Sequence, residues 1–308
     1  MGFFLTICYK YIMEFDEVMQ ILHENGFLLE DTIVEKVKGG ANVLNRAARN
    51  KDDEFYTFTG DIERELKNYN FSGKVVYCCC DNPEWSNFYK FFEKNFDSLG
   101  LKGLISSHFE SSGETYWTEF DGTNFEKHPL KGNGDCRSEE CQELADMADI
   151  IVTNPPFSLF QSILQTYYKK PFIMVCTPLK MTQGFCFELY KQGKIRYGYT
   201  TLNKFYRPDG DTKNVQCAWY TNLPVNKSYK KLNLVPYDEE QFPKFDNEDI
   251  ISVKSQKFIP DTDEKIGLPV SIIINVDPNN LPFEILGIRH DLKLNGKNIF
   301  DRLVVKLK

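Results

Sequence analysis

The 308-residue chain has a formal charge of −7, with 42% hydrophobic and 26% charged residues. This is an ordinary globular composition, with room for one large α/β domain and a smaller one. No apolar run approaches the ~20 residues of a membrane span, and the net acidity weighs against a nucleic-acid protein unless its bases are gathered locally. The nine cysteines include Cys78-Cys79-Cys80 but no C-x-x-C pair, and no His stands at metal-ligand spacing. The sequence therefore predicts reduced, buried thiols in a cytoplasmic protein, with no disulfide framework and no metal site.

Taken in order, residues 1–12 read as a frayed or mis-assigned leader. Met1-Gly2-Phe3-Phe4-Leu5-Thr6 meets the loose myristoylation pattern by accident, and Met13 is the natural start of folded structure. Residues 14–25 predict a helix, with Val18, Ile21 and Leu22 on one face and Gly26 as its stop. Helix is expected again over 61–69. Ser72-Gly73 break the chain before the first strong strand, 74–80, which is followed by a helix over 85–96 and a strand over 101–107. Alternation around Asp121-Gly122 predicts a hairpin over 116–130. Helices over 138–148 and 158–168 flank a strand at 150–153, and 171–176 is the next strand. Alternating strands and helices predict an α/β, Rossmann-like parallel sheet that binds ligands at the carboxyl ends of its strands. Beyond about Gly193, short strands such as 215–221 and 271–276 sit among Pro and Asn turns. They suggest a smaller, mostly β C-terminal module.

The densest signal is Ile150-Ile151-Val152-Thr153-Asn154-Pro155-Pro156-Phe157. Its apolar, β-branched half reads as a buried parallel strand. Each proline lacks an N–H and disfavours helix for the residue before it, so ladder and helix both stop there. What remains at the strand end is a stiff corner with an amide, outward-pointing carbonyls and an aromatic face. Such a corner suits a planar ring bearing an exocyclic amino group. Asn154 Oδ1 and the Pro155 carbonyl can each accept one amino hydrogen while Phe157 covers the ring. The motif resembles the Asn-Pro-Pro-aromatic signature of amino-methyltransferases that use S-adenosylmethionine. An isolated Asn-Pro-Pro is also a common turn, so the reading requires a cofactor site elsewhere.

The loop Cys80-Asp81-Asn82-Pro83-Glu84-Trp85-Ser86-Asn87-Phe88 lies where a nucleoside would sit over a first strand, but it has no glycine. A capped helix start, with Asp81 or Asn82 as N-cap and Pro83 in the first position, is the alternative. Phe55-Tyr56-Thr57 precedes the first strand by one helix, and Gly134-Asp135-Cys136-Arg137 offers a carboxylate just ahead of the Asn-Pro-Pro unit. Gly132-x-Gly134 is not a dinucleotide fingerprint.

Together, these blocks and their order closely resemble the EcoRI-type adenine-specific DNA methyltransferases. The likeness runs through 217–223, 266–270 and 283–287 and so covers roughly residues 52–300. The resemblance implies a Rossmann-like methyltransferase domain over 1–193 and a target-recognition, DNA-binding region over 194–308. It implies that Phe55, Tyr56 and Thr57 lie along the methionine part of S-adenosylmethionine. Cys80, Asp81, Pro83, Ser86 and Phe88 would form the first-strand loop around it. Asp135 would meet the cofactor adenine amino group, with Cys136 at the ring edge. Ser106-Ser107-His108-Phe109 departs from the family pattern, lacking an acidic residue for the ribose hydroxyls directly at the strand end; Glu110 is the nearest candidate.

The implied reaction is sequence-specific methylation of N6 of an adenine flipped out of double-stranded DNA, carried by Asn154, Pro155, Pro156 and Phe157. Between Pro178 and Lys231 bases far outnumber acids. Lys180, Lys194, Arg196, Lys204, Arg207 and Lys213 are the expected DNA contacts, holding phosphates while the C-terminal region reads base edges. A monomer is the expected state, with a cognate restriction endonuclease acting separately. An RNA adenine or protein-glutamine N-methyltransferase, or an inactive DNA-binding relative, are the alternatives. Glutamine enzymes tend to carry Tyr where this chain has Phe157. A cytosine-C5 enzyme needs a Pro-Cys pair, which the chain lacks.

Overall fold

Short apolar runs form the centre of the molecule. The computed structural model describes residues 56–111, 114–206, 212–229 and 231–308. The expected leader, the expected helix over 14–25, Phe55 and Arg207 lie outside the described residues. With β1 at Tyr56–Thr57, the strands β2 (Val75–Cys78), β3 (Gly103–Ser107), β6 (Ile150–Thr153) and β7 (Phe172–Cys176) lie parallel in the order β3-β2-β6-β7. Both faces of these strands are covered, which is why they carry no polar alternation. Tyr77, Ile105, Ile151 and Met174 feed one apolar cluster, and Val76, Leu104, Val152 and Ile173 the other.

Antiparallel strands extend both edges into a nine-stranded mixed sheet. Beyond β3 lie β4 (Tyr116–Phe120) and β5 (Phe125–Pro129). Their turn is the expected one: Asp121 Oδ1 accepts the Thr123 and Asn124 N–H groups, and Gly122 takes φ 97°. Beyond β7 lie β9 (Thr212–Thr221) and β8 (Arg196–Tyr206), with β1 at the far edge. The sheet thus runs past residue 193, where the first domain was expected to end. The described residues belong to one compact unit, Asp52–Lys308.

Six α-helices stand among the described residues: α1 (Thr59–Leu66), α2 (Asn87–Lys94), α3 (Phe96–Leu99), α4 (Glu139–Met147), α5 (Phe160–Tyr167) and α6 (Gly184–Lys191). Their ends are trimmed relative to the periodicity by local chemistry. Helix α2 begins at Asn87 because the Ser86 hydroxyl accepts the Phe88 and Tyr89 N–H groups. Glu65 of α1 is fully buried and accepts from the Tyr199 and Thr200 N–H groups and from the Tyr69 and Thr200 hydroxyls, all at 2.7–2.8 Å. It pins α1 to an irregular stretch of β8. A Cβ at Gly198 would come within 2.1 Å of Glu65 Oε1, so only glycine fits there.

After α6 the described residues contain strands and one 3-10 turn but no α-helix, as the sequence suggests. A five-stranded sheet spans 244–307, and its Ile251, Ile266, Leu268, Phe283 and Val305 join the same cluster as Tyr77 and Ile151. The strand expected over 271–276 is instead a 3-10 helix, Val270–Ile274, entered through Pro269. A short apolar run does not by itself distinguish a strand from a buried helical turn. Among the described residues no helix is long and apolar enough to cross a membrane.

Candidate active site

Strand β2 lies between β3 and β6. The chain leaves β2 on one side to form β3 and returns to its other side as β6, so their carboxyl ends flank the switch point where such sheets open a crevice. The loop after β2 and the Asn-Pro-Pro corner after β6 meet there through hydrogen bonds. Thr153, the last residue of β6, donates its hydroxyl to Asp81 Oδ2 at 2.6 Å and accepts the Cys80 N–H at 3.1 Å. Asp81 Oδ1 accepts from Ser86 Oγ at 2.7 Å, and the carboxylate also takes the Asn154 backbone N–H. Asp81 is buried; desolvation pushes its carboxyl up to about 7 against the opposing pull of the Thr153 and Ser86 hydroxyls. Its hydrogen-bond donors are uncharged hydroxyls and an amide.

Ser86 therefore serves both as the N-cap of α2 and as a donor to Asp81, and the capping role considered for Asp81 or Asn82 falls to it. Asn82 has other work: its Oδ1 accepts the Glu84 N–H at 2.8 Å, and its Nδ2 meets His108 Nε2 at 3.0 Å. The loop is thus braced from β3 as well as β6.

At the corner, Asn154, Pro156 and Phe157 are half-buried and Pro155 is buried. The Leu159 N–H donates to the Pro156 carbonyl at 3.0 Å, closing the turn into α5. The Phe157 ring meets Phe205 of β8 edge-on at 6.2 Å, which fixes its plane while leaving part of it open.

The remaining expected residues divide. Asn87 Nδ2 donates to the Thr57 carbonyl at 2.8 Å, so β1 with Tyr56 and Thr57 is tied to the start of α2. Thr57 is buried, and its hydroxyl has no partner among the described residues. Pro83 is buried within the loop. Phe88, expected in the loop around the cofactor, is 1% exposed and packs against Trp219 at 5.8 Å, pointing inward from the first turn of α2. It supports the loop from the core.

Asp135 accepts from Arg137 through Nε at 2.9 Å, through the other guanidinium arm at 2.5 Å and through the backbone N–H at 2.9 Å. Arg137 holds this carboxyl below its usual range. Of the roughly four acceptor positions on a carboxylate, one remains for an amino group. The Cys136 carbonyl accepts the Tyr167 hydroxyl, and hydrogen bonds from the Cys79 and Cys80 thiols depress the Cys136 thiol pKa. Gly134 has φ 74°, and a Cβ there would lie 2.0 Å from the His108 carbonyl oxygen, which brings this loop against the end of β3. Thr153, Asn82, His108, Arg137 and Tyr167 were not assigned site roles from sequence, although all but Tyr167 stand within the quoted segments.

The expected DNA-contacting bases are not one patch. Lys180 lies in the 3-10 turn Pro178–Thr182 directly after β7. Lys204 and Lys213 stand on the part of the β8–β9 hairpin beyond the Thr201–Ala218 pair, past the last β7 partner, Cys176. These three lie toward the carboxyl ends of the parallel strands, as the corner does. Arg196 pairs with Thr221, whose other neighbour is Ile173 near the start of β7, and its guanidinium donates to the Gly193 carbonyl at 2.9 Å. Lys194 and Arg196 thus sit toward the opposite end.

A parallel sheet whose switch point joins an acidic loop to a proline-stiffened amide corner defines a methyltransferase fold. The family model described as "Adenine-specific methyltransferase EcoRI" matches residues 43–306. The chain belongs to this EcoRI adenine-specific methyltransferase family. It is 35% identical to the Type II methyltransferase M.EcoRI of Escherichia coli over 86% of this chain and 96% of that protein. It is also 35% identical to M.MgeORF184P of Mycoplasma genitalium, over 76% of this chain and 83% of that one. The same identity holds to M.MpnI of Mycoplasma pneumoniae, over 79% and 84%. No solved structure matches the chain.

Proposed function

We propose that this protein transfers the methyl group of S-adenosylmethionine to the N6 nitrogen of an adenine flipped out of double-stranded DNA, as sequence-specific modification. The observation that carries the reading is the Thr153–Asp81 link, which couples the amide corner to the acidic loop at the switch point. The loop fits such a donor. A buried carboxylate held by uncharged donors suits a cationic ligand, and the Thr57 hydroxyl is a buried polar group in need of a partner. S-adenosylmethionine supplies, when bound, a methyl group already activated by its sulfonium charge.

The chain's own residues then prepare the acceptor. Adenine N6 is a poor nucleophile because its lone pair is conjugated with the ring. Asn154 Oδ1 and the Pro155 carbonyl would accept the two amino hydrogens, draw the nitrogen toward tetrahedral geometry and localise that lone pair. Phe157 would stack on the base, worth ~1–3 kcal/mol, with its plane set by Phe205. In-line orientation supplies several kcal/mol more. A base inside a duplex does not reach this corner, hence the flip. Lys180, Lys204 and Lys213 would hold phosphates near the same edge, and the region beyond Thr221 would read base edges. The Type II names of the relatives support a modification role.

The test is incubation with labelled S-adenosylmethionine and DNA, RNA or protein separately, followed by nucleoside analysis. Label recovered from DNA as N6-methyladenine is the expected result. Label only on RNA or on glutamine, or donor binding with no transfer to any substrate, overturns it.

A further inference from the structure

Strand β2 ends at Cys78, but the alternation of side chains between the two faces carries on through Cys79. Cys78 still packs with Val76 and Val152, while Cys79 joins the cluster of Tyr77 and Ile151. Past the strand end the chain turns, and Cys79 and Cys80 bring adjacent sulfurs to 3.8 Å. Cys136, from the loop before α4, places its sulfur 3.5 Å from that of Cys80, and all three sulfurs lie within 4.8 Å of one another. Each backbone is separately held: the Cys80 N–H by Thr153 Oγ1 and the Cys136 carbonyl by the Tyr167 hydroxyl.

The spacing has a chemical meaning. A zinc–thiolate bond is about 2.3 Å, so two sulfurs on one tetrahedral zinc stand about 3.8 Å apart. Two pairs of this cluster already sit near that separation without any rearrangement. Buried thiols pack adequately as isolated small hydrophobes, so convergence of three is not required by packing. Cys79 and Cys136 are buried and Cys80 is half-buried.

We propose that Cys79, Cys80 and Cys136 form a three-thiolate site for one thiophilic divalent cation of the zinc class. The cation's fourth position would be taken by a ligand other than these three thiolates. Each thiol gives up its proton to solvent on ligation, so metal uptake releases protons. Cys80 and Cys136 are also residues expected around the methyl donor, so the site is proposed for the donor-free protein, where cation binding goes beyond the methyl-transfer reading and does not depend on it.

The experiment uses the full, untagged chain, reduced with a phosphine and stripped of metal, then titrated with Cd2+. Thiolate-to-cadmium charge-transfer absorbance and the metal retained after gel filtration are read together. One retained equivalent, a band of three-thiolate intensity and displacement by Zn2+ are expected. Loss of an outer-shell partner alone costs roughly 10–100-fold in metal affinity; loss of a ligand in Cys80→Ser or Cys136→Ser should weaken binding by at least about 100-fold. Cys217→Ser, whose thiol lies in the other apolar cluster, should leave binding unchanged. Cys80→Ser alters a half-buried position and guards against misfolding of Cys136→Ser, with thermal unfolding of the metal-free proteins compared. No retained cadmium, retained cadmium without the band, or unaltered affinity in both serine variants overturns the site.

Discussion

Thr153 Oγ1 stands 2.6 Å from Asp81 Oδ2 and 3.1 Å from the Cys80 backbone nitrogen. One hydroxyl therefore donates to the loop after β2 and accepts from it, fixing that loop against the end of β6. The corner that would hold the acceptor base and the loop that would hold the methyl donor are set relative to each other by this residue.

Thr153→Val keeps the shape and removes the hydroxyl. It leaves the Cys80 N–H without an acceptor and Asp81 short of a donor in a buried place. Urea denaturation should show a loss of ~1–3 kcal/mol, and methyl transfer should fall with it. Thr153→Ser should recover most of both. Wild-type stability in the valine variant would show that the link contributes nothing.

Asn154→Ala should leave S-adenosylmethionine binding by calorimetry near wild type and reduce transfer by ~10²-fold or more, as deletion of an electrostatic stabiliser does. Near-normal turnover would remove Asn154 from the chemistry.

Two glycines two residues apart should respond differently. Gly134→Ala forces a Cβ to 2.0 Å from the His108 carbonyl at φ 74°, whereas a Cβ at Gly132 meets only Glu140 Oε2 at 3.5 Å. Loss of ~1–3 kcal/mol is expected for Gly134→Ala and little change for Gly132→Ala, both by urea denaturation.

His108 is a pH-dependent contributor. Burial lowers its pKa below 6.5, and its Nε2 sits against Asn82 Nδ2, an arrangement for the neutral ring. Between the lowered folded pKa and the unfolded value, the unfolded chain binds more protons, so stability rises with pH across that window. The contribution is present above about pH 6.5 and is lost as pH falls through the folded pKa. His108→Gln should flatten the acid side of a stability-versus-pH curve; an unchanged curve would count against it.

Salt dependence should separate the bases. Removing one phosphate-binding cation makes the slope of log affinity against log salt shallower by about 1. Lys204→Ala should show this reduction and Lys194→Ala, toward the other end of the sheet, should not. Equal slopes in the two variants would refute the placement of DNA along the carboxyl edge.

Much of the fold was legible because its signals are local. The Ile150–Thr153 strand, its termination by two prolines, and the Asp121-Gly122 turn are consequences of nearest-neighbour backbone chemistry. Residues 271–276 carry a strand-like signal yet fold as a helical turn, because a short apolar run satisfies either. The first sheet extends past residue 193 because β8 and β9 return to it as an antiparallel hairpin. The thinning of helices there looks, in one dimension, like the start of something else.

The candidate site divides in the same way. Asn154-Pro155-Pro156-Phe157 could be picked from the chain, since residue type and neighbours state their chemistry, whereas Asp81 entered the site only through the family resemblance. That Phe88 faces Trp219, that Arg137 occupies most of Asp135, and that Cys136 meets Cys79 and Cys80 could not. By itself, the order of residues determined which segments become strands and what chemical groups their ends carry. Tertiary structure alone decided which of those ends share a crevice, because sheet order and crossovers, not distance along the chain, set which side chains meet.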